Sequence, residues 1–119
     1  MAYRLVMTGE VRDWLHKIRS SDPVTRRLVA EAIDRLLDDG PALGRPLVDR
    51  LAGSGLHNLK ELRPGSSGSS EVRILFIFDP ARNAVLLVAG DKSGRWTEWY
   101  AEAIPAAEAA YRAYLEGQR

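Results

Sequence analysis

The chain has no cysteine, which excludes a disulfide framework and thiolate metal sites. It has two histidines, and without cysteines beside them or an HExxH spacing they carry no metal signal. An excess of charge of one sign is also missing. Seventeen Lys and Arg stand against sixteen Asp and Glu, a net charge of +1, so the protein cannot grip a polyanion by bulk charge. Any such contact has to come from a local basic patch. No apolar run approaches the roughly 18 residues of a membrane span, and the N-terminus shows no charged segment followed by an apolar one. A cytoplasmic protein without membrane contact or cofactor is expected.

The 119 residues present are 45% hydrophobic and 28% charged. These are ordinary globular values, consistent with one domain over 1–119 and a single modest core. Tyr3 to Met7 predicts a strand, at the edge or in the centre of a sheet. Thr8 is a helix cap, and Val11, Trp14, Leu15 and Ile18 follow at helical spacing. Asp22-Pro23 starts a second helix with a capping carboxylate and a proline at the first position, lined by Val29, Ile33, Leu36 and Leu37 and stopped at Gly40-Pro41. The segment from Pro41 to Gly55 reads as a loop. Leu59 to Arg63, Glu71 to Asp79 and Ala84 to Lys92 then form three strand candidates, joined as an antiparallel meander by the Ser/Gly-rich stretch 64–70 and the tight turn 79–83. A last helix is expected over Glu98 to Gly117, with Pro105 as a restart and Ile104, Ala107, Tyr111 and Leu115 on one side.

Within EVRILFIFD, one face of the strand carries Val72, Ile74, Phe76 and Phe78, and the other Glu71, Arg73, Leu75, Ile77 and Asp79. The all-apolar face must meet the helices, which places Arg73 on the open side of the sheet. The same alternation puts Leu62 towards the core and Leu59, Glu61 and Arg63 on the side of Arg73. Lys92 and Arg95 fall at the end of the third strand and just beyond it, ahead of Trp96, Trp99 and Tyr100.

Such a grouping suits phosphodiester cleavage in RNA. Attack by the 2′-hydroxyl needs a base, an acid for the departing 5′-oxygen, and fixed cations around the phosphate. Arginine fits the last role because its rigid fork binds phosphate oxygens bidentately and stays charged. A ring such as Trp96 or Tyr100 can stack on an unpaired base, worth roughly 1–3 kcal/mol. Plainer roles account for the same residues: a solvated cross-strand pattern for Glu61 and Arg63, an Arg73–Glu61 pair covering the sheet, turn positions for Lys92, Arg95 and His57, and packing for Trp96, Trp99 and Tyr100. Trp14 belongs to a core stripe, and His16 has no assigned task.

Taken as strand, helix pair, meander and terminal helix, the chain resembles the RelE/ParE superfamily of bacterial toxins from toxin–antitoxin modules, and more closely the phage-derived HigB-like branch. The likeness runs through LHNLKELRPGSSGSSEVRILFIFD and VLLVAGDKSGRWTEWYAEAIPAAEAAYRAYLEG, with the N-terminal half agreeing in element order. It implies an α+β, RelE-like fold in which an N-terminal strand and helix pair pack on a small antiparallel or mixed sheet with a C-terminal helix. It also implies a metal-independent, ribosome-dependent mRNA interferase, silenced by a DNA-binding antitoxin. The arginines and basic turn of nuclease members match Arg63, Arg73, and Lys92 with Arg95, and Tyr100 is the nearest match to a tyrosine used by some members. RelE carries two lysines where this chain has Leu59 and Glu61. HigB nucleases use histidine and acidic residues instead, which leaves His57, Glu61 and Asp91 for proton transfer. The expected catalytic set is Arg73, Arg63, Lys92, Glu61 and His57, with Lys60, Arg95, Trp96 and Tyr100 for RNA contact. A ParE-like gyrase inhibitor and a non-toxic interaction module are the alternatives. An exposed apolar strip on the helix from Val24 to Asp39 would mark antitoxin docking.

Overall fold

The structure, a computed structural model, describes residues 3–118. The chain runs β1 (Arg4–Met7), α1 (Gly9–Ser21), α2 (Pro23–Asp39), a 3₁₀ turn (Gly40–Ala42), β2 (Val48–Arg50), β3 (Lys60–Leu62), β4 (Val72–Phe78), β5 (Asn83–Asp91) and α3 (Trp96–Gly117). Both helix starts follow from local chemistry. Thr8 Oγ1 accepts the Val11 N–H and donates to the Leu87 carbonyl at 2.9 Å, so the cap of α1 also ties it to the sheet. The Asp22 carboxylate accepts the Thr25 N–H at 3.1 Å, with Pro23 at the first helical position of α2.

The five strands lie in the order β1-β5-β4-β3-β2, with β1 parallel to β5 and the other pairs antiparallel. The fold is therefore α+β, with the expected meander inside a larger mixed sheet. Two differences arise in the elements. The loop expected from Pro41 to Gly55 contains β2, a strand too short to show alternation. Helix α3 begins at Trp96 and continues through Pro105, because Trp99, Ala103, Ala107 and Tyr111 bury one unbroken stripe on both sides of the proline.

The sheet is covered on both faces. Helices α1 and α2 enclose Val11, Val29, Leu36, Leu62, Ile74 and Leu86 against one face, with Trp14 half-buried at the margin. Helix α3 encloses Leu59, Leu75, Ile77, Val85, Leu87 and Val88 against the other. The open face expected for Arg73 is thus corrected. Leu75 and Ile77 alternate with Arg73 and are themselves apolar, and burying them brings α3 over that side.

One irregularity in β5 organises everything beyond it. Leu75 pairs with Val88 but Phe76 with Leu86, so Leu87 is an extra residue, a β-bulge. Leu87 and Val88 both point towards α3, and from there to the end of the strand the alternation is reversed. Gly90 and Lys92 consequently face α3.

On α2, Val24 alone is an exposed large apolar residue, so the described residues show no apolar strip along that helix.

Gly40 ends α2 with φ +62° and ψ −148°, a region open essentially to glycine, and a Cβ there would collide with the Tyr3 ring. Replacement Gly40→Ala is expected to lower the unfolding free energy by about 3 kcal/mol in a denaturant titration. Gly9→Ala, where nothing lies within 4 Å of the added carbon, should stay close to wild type.

Candidate functional site

The bulge sets the floor of the site. Arg73 on β4 pairs with Gly90 on β5, and both face the first turns of α3. Gly90 permits that approach: a Cβ there would stand 2.6 Å from Trp99 Nε1, so the absent side chain lets the Trp99 indole lie directly on the strand. With Trp99 seated, Trp96 and Tyr100 are carried over the end of β5. The Lys92 ammonium sits 3.8 Å from the Trp96 ring centre and 5.2 Å from that of Tyr100.

At the centre is Glu61 on β3, a carboxylate 6% exposed. It accepts a hydrogen bond from the Tyr100 hydroxyl at 2.6 Å, and Arg63 Nε and Arg73 Nε lie 3.7 and 3.8 Å from its Oε1. Arg73 is nearly buried. Its Nη1 donates to the Val72 carbonyl at 2.8 Å, while its Nε makes no hydrogen bond. Lys92 is 5% exposed and 3.9 Å from Glu71 Oε2, the other buried side-chain atom without a hydrogen bond among the described residues. These ion pairs are longer than hydrogen-bonded ones. The cluster is charge-compensated yet leaves donors unspent.

Electrostatics follow the packing. Burial, and then the positive charge of Arg73, lower the pKa of Lys92 below the ordinary lysine value, with Glu61 and Glu71 opposing the change. Burial and the hydrogen bond to the Glu61 carboxylate push Tyr100 up to about 12. The phenol therefore holds its proton on Glu61 throughout the physiological range.

Glu61, Arg63, Arg73, Lys92, Trp96 and Tyr100 are brought together as the sequence suggested. Other expected residues are placed elsewhere. His57 lies in the turn before β3, in a 370 Å³ groove with Ile77, Phe78, Asp79 and Tyr111. Phe78 is five residues along β4 from Arg73, roughly 16 Å, so His57 occupies the opposite end of the sheet. Lys60 points to the other face, 5.6 Å from the Phe78 ring centre. Arg95 caps the entry to α3 and pairs with Glu102. Asp91 holds the turn: burial acts to raise its pKa, but the backbone N–H groups of Glu71 and Ser93 prevail and keep its carboxyl below the ordinary value. Two participants escaped the sequence reading, Glu71 beside Lys92 and Asp49, whose carboxylate is 3.8 Å from Arg63. Asp49 belongs to β2, which no pattern announced. Among the described residues no group of three or more His, Cys, Asp and Glu is placed to hold a metal.

Comparison with known proteins gives a consistent picture. The family described as phage-derived Gp49-like proteins matches residues 16–112. The candidate toxin HigB2 of Mycobacterium tuberculosis is 56% identical over 102 residues, 86% of this chain and 49% of that protein. The candidate toxin HigB3 of the same organism is 51% identical over 104 residues, 87% of this chain and 86% of that one. The chain thus spans about half the length of the first relative and most of the second. Among solved structures, a mutant of the Escherichia coli toxin RelE in the free state superposes with a TM-score of 0.60 at 16% identity, over 95% of this chain and 98% of that one, a likeness of fold.

Replacement Tyr100→Phe removes the donor that satisfies Glu61 and is expected to cost about 2 kcal/mol of stability, the range for a hydrogen bond to a charged group. The pH dependence has a definite sign. The raised pKa of Tyr100 adds stability that is complete below pH ~10 and is lost as pH rises through about 12. Tyr111 and Tyr114 are also raised, by burial and by the hydrogen bond to Asp79 respectively, so ultraviolet titration of the phenols should show a high-pH phase that is smaller by one phenol in the variant.

Proposed function

This chain belongs to the Gp49-like family of phage-derived proteins, and from that premise we propose that it is the toxin of a type II toxin–antitoxin pair, acting in the bacterial cytoplasm as a ribosome-dependent mRNA endonuclease. The observation that carries the proposal is the state of Arg73, a nearly buried guanidinium whose Nε has no hydrogen bond beside two further cations, Arg63 and Lys92. A buried donor left unpaired is costly. A phosphate oxygen would satisfy it in the bidentate geometry that guanidinium favours.

In this reading the RNA enters over Arg63 and Trp96, the more exposed members at the rim, with Trp96 offering a stacking surface for a base. Arg73 and Arg63 take the phosphate oxygens and release their hold on Glu61. Losing that positive company, and gaining a phosphate nearby, makes the carboxylate a stronger base. It then accepts the proton of the 2′-hydroxyl while Tyr100 keeps it oriented. The 2′-oxygen bonds to phosphorus, the bond from phosphorus to the 5′-oxygen breaks, and the lowered pKa of Lys92 suits it to protonate the leaving oxygen. The products are a 2′,3′-cyclic phosphate and a 5′-hydroxyl. His57 and Asp91 stay outside this scheme, the first by distance and the second by its backbone bonds. The partners are the ribosome with its mRNA and an antitoxin that neutralises the protein.

The test is primer extension on a defined message in a purified translation system, comparing wild type with Arg73→Ala after circular dichroism shows both folded. Cuts that require ribosomes and fall by roughly 10²–10³-fold in the variant, the scale for removing one transition-state donor, are expected. Uncut messages together with blocked DNA supercoiling would overturn the reading in favour of gyrase inhibition.

A further inference from the structure

Two pairs of like charges stand directly opposite each other across β2 and β3: Asp49 faces Glu61, and Arg50 faces Lys60. Like charges in that position repel and destabilise a sheet. The acidic pair is answered within the molecule, since Arg63 lies 3.8 Å from Asp49 and 3.7 Å from Glu61. The basic pair is not. Among the described residues neither Arg50 nor Lys60 makes an ion pair, and the neighbouring carboxylate Asp49 is committed to Arg45 and Arg63. Both cations open on one groove of about 300 Å³ walled also by Arg45, Leu43, Val48 and Asp49, the last a carboxylate bound to Arg45. Burial, and then the charge of Arg50, lower the pKa of Lys60.

We infer that the Arg50–Lys60 groove is a second phosphate site, which holds the backbone of the same RNA strand on the face of the sheet opposite Arg73. The inference rests on the nuclease reading of the Arg73 cluster. Arg63 links the two sites, lying within 4 Å of both Glu61 and Asp49; the groove is two strand spacings from β4, roughly 10 Å, and, since Lys60 pairs with Phe76, about another 10 Å along the strands from Arg73. An RNA strand leaving Arg73 therefore passes Arg63, crosses the short β2 edge, and comes down between Arg50 and Lys60. Phosphate is favoured over an acidic peptide because a fork-shaped guanidinium and an ammonium side by side match the several oxygens of a phosphodiester. The cost of the opposed cations is then offset only when RNA is bound.

A charge reversal separates this role from a structural one. Arg50→Glu gives Lys60 an opposite partner across the strands, so the unfolding midpoint should hold or rise. Binding of a fluorescent single-stranded oligoribonucleotide with 2′-methoxy groups, which cannot be cut, should weaken about tenfold. The slope of log affinity against log salt should also fall by about 1.4, since each cation lost from a single-strand contact removes roughly 0.7 and the new Glu neutralises Lys60 as well. Arg50→Gln is the second variant if the reversal perturbs folding, and it should weaken binding in the same direction. Unchanged affinity and slope in both variants, with weakened binding in Arg73→Ala, overturn the groove and leave the nuclease site standing. Weakened binding in Arg50→Glu with unchanged binding in Arg73→Ala supports the groove and counts against the reading of Arg73. Polyglutamate bound as tightly as RNA, or no RNA bound by the wild type at low salt, overturns the assignment.

Discussion

A single buried carboxylate holds this sheet and its last helix in register. Glu61 is taken out of water in the middle of β3, where an unpaired charge would be prohibitive. It is tolerated because Arg63 and Arg73 approach it from its own and the neighbouring strand and Tyr100 reaches down from α3 to donate at 2.6 Å. The dependence runs in both directions. Without Glu61 the arginines and Lys92 would face one another across a poorly solvated space, and without the cations Glu61 would be a buried carboxylate with only Tyr100 to pair it. Helix α3 is fixed at the same place by Trp99, which lies on Gly90. The contacts that seat the helix and those that assemble the charged cluster are therefore neighbours on α3, and fold and site form one construction.

The arrangement shows how a chain with almost no net charge can gather three cations in one place, each held beside a carboxylate. Charges of both signs are sorted by strand alternation, and the acidic residues on the α3 face serve mainly to keep the basic ones in place. Asp49 orients Arg63, Glu71 stands by Lys92, and Glu61 stands by Arg73. In the proposed reaction, a phosphate would not need to bring cations together, because they are already gathered and only their carboxylate partner would have to be exchanged. Preorganisation of this kind is where electrostatic catalysis draws most of its effect. Similarity of fold to RelE at 16% identity says little about such details, which reside in the side chains and not in the topology.

Much of the scaffold was legible in the sequence. The caps at Thr8 and Asp22-Pro23 are local chemistry, and the alternation of Val72, Ile74, Phe76 and Phe78 separates the two faces of β4 correctly, with Arg73 and Glu61 on the same side. What was not legible is non-local. The apolar residues on the Arg73 side, Leu75 and Ile77, were signs of a second covered face, yet which helix covers it depends on the path of the whole chain. The bulge at Leu87 leaves no mark in a run of apolar residues, although it alone turns Lys92 towards Arg73. Strand β2 is three residues long, too short for a period, and with it Asp49 and Arg50 stayed hidden. The resemblance to nucleases that use histidine groups His57 with Arg73, but a strand carries residues apart by over 3 Å each, and the turn holding His57 leads to the far end of the sheet.

The central claim is that the Glu61-compensated cations act on a phosphodiester whose own 2′-hydroxyl is the nucleophile. A message carrying one 2′-deoxynucleotide immediately 5′ to a mapped cut, translated with the wild-type protein, tests it directly. The account predicts that this cut disappears while cuts at other codons persist with 2′,3′-cyclic phosphate ends. Continued cutting at the deoxy position would show that the nucleophile comes from elsewhere and would contradict the account.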